Sequence, residues 1–275
     1  MKQVAPHVYV EHAHRGVTFG CIVTPSGVIC IDSPTSPADA SAWRMQIGKL
    51  TDKPVRFVVL TDAHRDRISG LQYLGGAVVA HEAAWEKMKS YGDAFRPQSP
   101  DSSSSHPDTT DWHVVLPQIT FVDKLVLYQS DPIVIQHVGG ATPGSVWVHL
   151  PRQGVLFMGD LMAFRTHPVA AEGDIATWLE ILDKVRDKSF TAKVIVPGRG
   201  GPCNKTALGP MVDYLRAMRM RVQSLLRSRR PRADTALLVP EFLARYHVYE
   251  SEREGARQRI KAGLDHIYDS LKTKR

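Results

Sequence analysis

Long apolar runs are missing from this sequence. None reaches the roughly 20 residues that a membrane-crossing helix needs, so no membrane partner is expected. The opening stretch, Met1-Lys2-Gln3-Val4-Ala5-Pro6-His7, lacks the apolar core of a secretory signal. A cytoplasmic location is therefore the default expectation. Cysteine is scarce as well. Cys21, Cys30 and Cys203 are odd in number and have no C-x-x-C spacing, so they read as reduced thiols. Excess positive charge is absent from most of the chain. Residues 1–215 hold 20 Lys and Arg against 21 Asp and Glu, whereas residues 216–275 hold 15 against 7, so the net charge of +7 arises entirely in the tail. That distribution argues against a nucleic-acid surface on the body of the protein.

What is present is an ordinary globular composition, with 43% hydrophobic residues across 275 positions, enough for a sizeable core. Short β-rich runs come first. Residues 19–24 and 28–32 flank Pro25-Ser26-Gly27 and predict a hairpin. Residues 38–50 predict a helix, and 55–60 form a continuous apolar run, the mark of a strand buried on both faces. Residues 77–80 predict a strand and 81–90 a helix. Residues 96–111, with Ser102-Ser103-Ser104-Ser105 between prolines, predict a flexible loop. Residues 119–128 predict a hairpin turning at Asp123-Lys124. Strands are expected at 133–136, 146–150, 155–158 and 193–196, and a helix capped by Asp174 runs to about Asp187. Hairpins mixed with strand–helix alternation suit a layered α/β architecture. In the tail, Leu208, Met211, Val212, Leu215, Met218, Val222, Leu225 and Leu226 recur at helical spacing. Pro231 interrupts the pattern, and Ile260, Leu264, Ile267 and Leu271 resume it.

Four segments carry chemistry. Gly27-Val28-Ile29-Cys30-Ile31-Asp32-Ser33 is a strand ending in an aspartate. Val58-Val59-Leu60-Thr61-Asp62-Ala63-His64-Arg65-Asp66-Arg67 is a strand followed by titratable residues. Ala141-Thr142-Pro143-Gly144-Ser145 precedes Leu156-Phe157-Met158-Gly159-Asp160, and Val196-Pro197-Gly198-Arg199-Gly200 closes the series. In this order and spacing they resemble the metallo-β-lactamase superfamily, over roughly the first three quarters of the chain. The resemblance implies an αβ/βα sandwich of two mixed sheets over residues 1–205. Residues 206–275 would be a helical C-terminal extension packed on the same domain. It also implies a site at the sheet edge for one or two zinc ions, where a metal-bound hydroxide attacks an ester, amide, thioester or phosphoester.

Position by position, this chain departs from that pattern. The family's first histidine is Asp62, while His64 and Asp66 are kept. The next histidine is Arg67, the histidine before T-P-G is Ala141, the bridging Asp160 is kept, and the last histidine is Arg199. Guanidinium groups stay protonated and offer no lone pair, so a second metal is not expected. At most one weakly bound divalent ion such as zinc is expected, on Asp62, His64 and Asp160, with His137 or His167 as a further ligand if either reaches in. Otherwise no cofactor is expected. Arg67 and Arg199 together carry the charge of the lost ion, so a salt-bridged cluster with Asp66 and Asp160 is predicted in its place.

The remaining candidates are open to plainer readings. His64 also reads as a hydrogen-bonded structural histidine, Arg199 as a solvated turn residue, and Cys203 as an inert thiol. His167 reads as a substrate-facing loop residue or an ordinary loop histidine, and His12 and His14 as surface residues. The expected function is that of a superfamily member without dinuclear zinc hydrolysis. Its pocket would bind a small anionic or polar ligand or serve a non-catalytic role. The alternatives are a hydrolase of an ester, lactone or phosphoester with one divalent metal, and a metal-independent enzyme using the Asp/Arg cluster. The basic helices bearing Arg216, Arg219, Arg221, Arg227, Arg229 and Arg230 would meet an acidic protein partner or a second subunit.

Overall fold

The computed structural model describes residues 1–12, 16–91 and 114–273. The loop expected over 96–111, and His14, lie outside these residues.

Two sheets face each other. The first has seven strands in sequence order: β1 (Lys2–Ala5), β2 (Val8–Glu11), β3 (Phe19–Thr24), β4 (Gly27–Ile31), β5 (Val55–Val59), β6 (Ala77–His81) and β7 (Ile119–Phe121). The second has five: β8 (Lys124–Tyr128), β9 (Pro132–His137), β10 (Val146–Leu150), β11 (Val155–Ala163) and β12 (Val194–Arg199), in the order β12-β11-β10-β9-β8. Both are mixed. The β3–β4 pair is antiparallel while β4, β5, β6 and β7 run parallel, and β11–β12 is a parallel pair beside antiparallel neighbours.

Alternation along the strands sorts their side chains into layers. Ile22, Ile29, Ile31 and Val59 of the first sheet meet Ile135, Val148, Phe157 and Val196 of the second in the inter-sheet core. Cys21, Cys30, Val58 and Leu60 point the other way, toward α1 (Pro37–Leu50), α2 (Arg65–Ile68), α3 (Leu71–Leu74) and α4 (Glu82–Tyr91). Leu156 and Met158 pack outward with α5 (Ile175–Arg186), α6 (Leu208–Arg227), α7 (Val239–Leu243) and α8 (Glu250–Thr273). The result is the αβ/βα sandwich, and the C-terminal helices share one apolar core with β11 and α5.

Local signals explain the helix starts. Ser36 accepts a bond from the Asp39 amide ahead of Pro37, and Asp174 accepts from the amides of Ala176 and Thr177. These bonds satisfy amides that a helix leaves open at its N-terminus.

The expected hairpin over 119–128 is corrected. β7 pairs with β6 in one sheet and β8 with β9 in the other. Val122 and Asp123 carry the chain across the sandwich: the Val122 carbonyl contacts His81 Nε2 at 2.8 Å, and the Asp123 carbonyl accepts from the His137 amide at 2.8 Å. Adjacent β-rich runs with a turn-like link are compatible with pairing or crossing, and the packing of two sheets selects crossing. Two strands also run longer than expected. β11 continues from Met158 to Ala163 and β12 from Val196 to Arg199, held together by their parallel pairing through two irregularities.

Candidate functional site

The parallel strands of the first sheet deliver Asp32 and Asp62 just beyond the C-terminal ends of β4 and β5. The second sheet contributes Asp160 from within β11 and Arg199 from the end of β12. The short helix α2 (Arg65–Ile68) follows His64 and presents Asp66 and Arg67. All of these side chains gather at one edge of the sandwich.

Arg67 lies at the centre and is fully buried. Its Nη1 donates to Asp32 Oδ2 at 2.8 Å, its Nη2 donates to Asp160 Oδ1 and to the Gly198 carbonyl (3.3 Å), and its Nε lies 3.4 Å from Asp62 Oδ1. Asp32 is fixed in turn by the Thr61 amide (2.8 Å) and hydroxyl (2.7 Å). Its backbone sits in the left-handed region at φ 59°, a conformation that Asp tolerates better than most residues. Glycine at 198 is required for the guanidinium to fit, because a Cβ there would stand 2.3 Å from Arg67 Nη2 and 2.4 Å from the Gly159 carbonyl carbon.

Arg199 forms the outer layer. Its Nη1 contacts Asp66 Oδ2 at 2.8 Å and its Nη2 donates to Asp160 Oδ2 at 3.1 Å. His64 Nδ1 lies 2.8 Å from Asp160 Oδ2 and 3.3 Å from Asp62 Oδ2. Asp160 thus meets two guanidiniums and an imidazole. Burial alone would push its carboxyl up, but Arg199, Arg67 and His64 hold it well below the usual carboxylate range. Burial raises and His64 and Arg67 lower the Asp62 carboxyl, with a net fall. Burial disfavours the charged form of His64, yet Asp62 and Asp160 carry its pKa up to about 11. The assembly contains four carboxylates and three cations, and the C-terminal segment borders it. Burial, and then the like charge of Arg199, lower the pKa of Arg259 on α8, while Asp66 opposes the fall.

The other expected site residues separate from this cluster. Ala141 is fully buried in the helix-side core, and its methyl offers no ligand. His167 is buried beneath the C-terminal helices, with Nδ1 3.1 Å from the Tyr214 hydroxyl and its ring edge-on to Tyr246. Burial, assisted by Arg259, depresses its pKa to about 4, so it is neutral. His137 stacks on His81 with ring centroids 3.7 Å apart and contacts the Pro143 carbonyl. Cys203 pairs by backbone with Ile195, and burial pushes its thiol up to about 12. His12 is exposed. Beside His64 opens a cleft of about 270 Å³, walled by Ala63, Ala84, Tyr91, Thr142 and Gly144, with the Lys87–Glu172 pair (2.9 Å) at its side.

In the sequence Asp32 reads only as a strand end, and its place at the close of the first motif is the signal of its role in the site. Tyr214 had no such signal, because it meets His167 only through tertiary packing.

Ligand atoms of Asp62, His64 and Asp160 all lie within 4.8 Å of one another, the spacing of a metal site. Their partners do not fit the family's metal pair. Arg67 fills the space between Asp32, Asp62 and Asp160, and Arg199 the space between Asp66 and Asp160. A divalent ion on the same carboxylates would face both guanidinium charges at close range in a poorly screened interior.

A family model described as the metallo-beta-lactamase superfamily matches residues 15–199. A linear primary-alkylsulfatase of Pseudomonas sp. (strain ATCC 19151) is 25% identical over 217 residues, covering 66% of this chain and 41% of the relative. The structure of the sec-alkylsulfatase Pisa1 from Pseudomonas sp. has a TM-score of 0.69 at 19% identity, covering 98% of this chain and 49% of that one. A metallo-beta-lactamase from Pontibacter korlensis has a TM-score of 0.62 at 20% identity, covering 78% of this chain and 97% of its own. The chain spans half or less of the length of these alkylsulfatases. Among the described residues, no helix is long and apolar enough to cross a membrane.

Proposed function

Because the chain belongs to the metallo-beta-lactamase superfamily, we propose that it is a member that has given up dinuclear zinc hydrolysis and keeps the cleft beside His64 to bind a small polar or anionic molecule. The observation that carries this reading is the fully buried Arg67 guanidinium among Asp32, Asp62 and Asp160. A guanidinium supplies positive charge and directed hydrogen bonds to the carboxylates that a metal would otherwise hold. It supplies no open coordination position and activates no water. Together with Arg199 and His64 it sets positive charge against Asp62, Asp66 and Asp160, the role an ion would otherwise fill. The cleft, with small side chains on its walls and Lys87 at its side, has room for a compact ligand. The alkylsulfatase relatives point to sulfate esters as the first anionic compounds to try.

A second reading has one observation in its favour. The close approach of the Asp62, His64 and Asp160 ligand atoms would suit a single divalent ion, and with it hydrolysis of an ester, lactone, phosphoester or sulfate ester. Elemental analysis separates the two. Protein purified without added metal should carry well under one zinc per chain, and turnover of such esters should be absent with or without chelator. The variant with Asp62→His, Arg67→His, Ala141→His and Arg199→His should gain zinc affinity. Stoichiometric zinc in the natural chain, or activity lost on chelation, would overturn the metal-free reading.

A further inference from the structure

The two buried cysteines of the first sheet lie opposite each other. Cys21 on β3 is the register partner of Cys30 on β4, and both are wholly buried on the face that packs against Trp43. The type of pairing follows from the backbone bonds around them. The Val23 amide donates outward to the His7 carbonyl, and the Val28 amide donates outward to the Pro54 carbonyl, each at 2.9 Å. Val23 and Val28 are register partners, so they form a non-hydrogen-bonded pair. Antiparallel pairs alternate in type, and Cys21–Cys30 stands two residues further along, so it is of the same kind. Its Cα atoms are therefore about 4.5 Å apart, inside the range of about 4.4–6.8 Å that a disulfide bridges. Cys203 is excluded as a competitor, since it packs on the outer core of the second sheet, whereas Cys21 and Cys30 face the outer core of the first.

We propose that Cys21 and Cys30 are an oxidation site, closing under a peroxide into a cross-strand disulfide that staples the hairpin two residues before Asp32. One thiolate attacks a peroxide oxygen, breaking the O–O bond to give a sulfenic acid and water. The second sulfur then displaces the sulfenic hydroxyl as another water. Two S–H bonds and one hydrogen peroxide become one S–S bond and two waters, with the sulfur pair oxidised by two electrons. The consequence for the site lies in the strand itself. β4 leads into Asp32, the residue that holds Arg67 Nη1, so the bridge ties the anchor of the guanidinium to its neighbouring strand.

Access sets the rate. Both thiols are buried, and burial pushes Cys21 up to about 12, so the folded protein reacts only when the hairpin opens. The test uses the full chain carrying Cys203→Ser, refolded from urea with hydrogen peroxide and then unfolded for thiol counting and intact mass. The expected result is a fall from two free thiols to none, a mass lower by two hydrogens, a monomer on a non-reducing gel, and full return with dithiothreitol. Cys21→Ser in the same background should abolish the change in mass. Peptide mapping of the natural chain gives the same answer should Cys203→Ser fail to fold. Retention of both thiols, or their conversion to sulfinic acids or intermolecular dimers, would overturn the proposal.

Discussion

Arginine meets carboxylate in two settings in this molecule. At the sheet edge, Arg67 and the carboxylates of Asp62 and Asp160 are buried. On the C-terminal helices, Arg221 meets Glu241 at 2.7 Å and Arg216 meets Asp183 at 3.2 Å, with both arginine side chains about half exposed. The contact distances are similar and the energetics are not. Exposed pairs give up little hydration and gain little, because water and salt screen them. The interior group has given up nearly all of its hydration, so each member depends on the others, and removal of one strands the rest. Ion pairs in the tail therefore describe a solvated surface, whereas those of the cluster are buried contacts whose members depend on one another.

Mutation sharpens this contrast, with the largest effect expected at the centre. Arg67→Met, close in size and uncharged, should destabilise the fold by about 3–5 kcal/mol, because buried carboxylates lose their shared cation. Urea denaturation measures it, and an unchanged midpoint would mean that the carboxylates find another partner. Arg199→Ala should cost less, about 1–3 kcal/mol, since its side chain is 14% exposed and Asp66 is 30% exposed, which lets water replace part of the contact. A loss at Arg199 equal to that at Arg67 would erase the distinction between the two layers. Arg221→Ala should change stability by less than about 1 kcal/mol, and molar salt should shrink even that. A larger loss would show that the tail pairs are more than surface chemistry, and loss of an oligomer in size-exclusion chromatography would locate a subunit contact there.

The ordered motifs, the apolar strand runs and the helical spacing of the tail made the layered fold legible in one dimension. Residue type alone also decides that Arg67, Ala141 and Arg199 offer no lone pair to a metal. The pairing of Arg199 with both Asp66 and Asp160 was readable from charge balance. Three features were not. The link at Val122–Asp123 reads as a turn until a second sheet is present to receive the chain. His167 looks like a loop residue until α6 brings Tyr214 over it. Asp32 becomes the second partner of Arg67 only because β4 and β5 are parallel neighbours that end at the same edge. Composition and order determined which groups were available and what chemistry each could perform. Which of them share one carboxylate was decided by strand register and sheet packing, since those set distances between residues as far apart in the chain as Asp32, Arg67, Asp160 and Arg199.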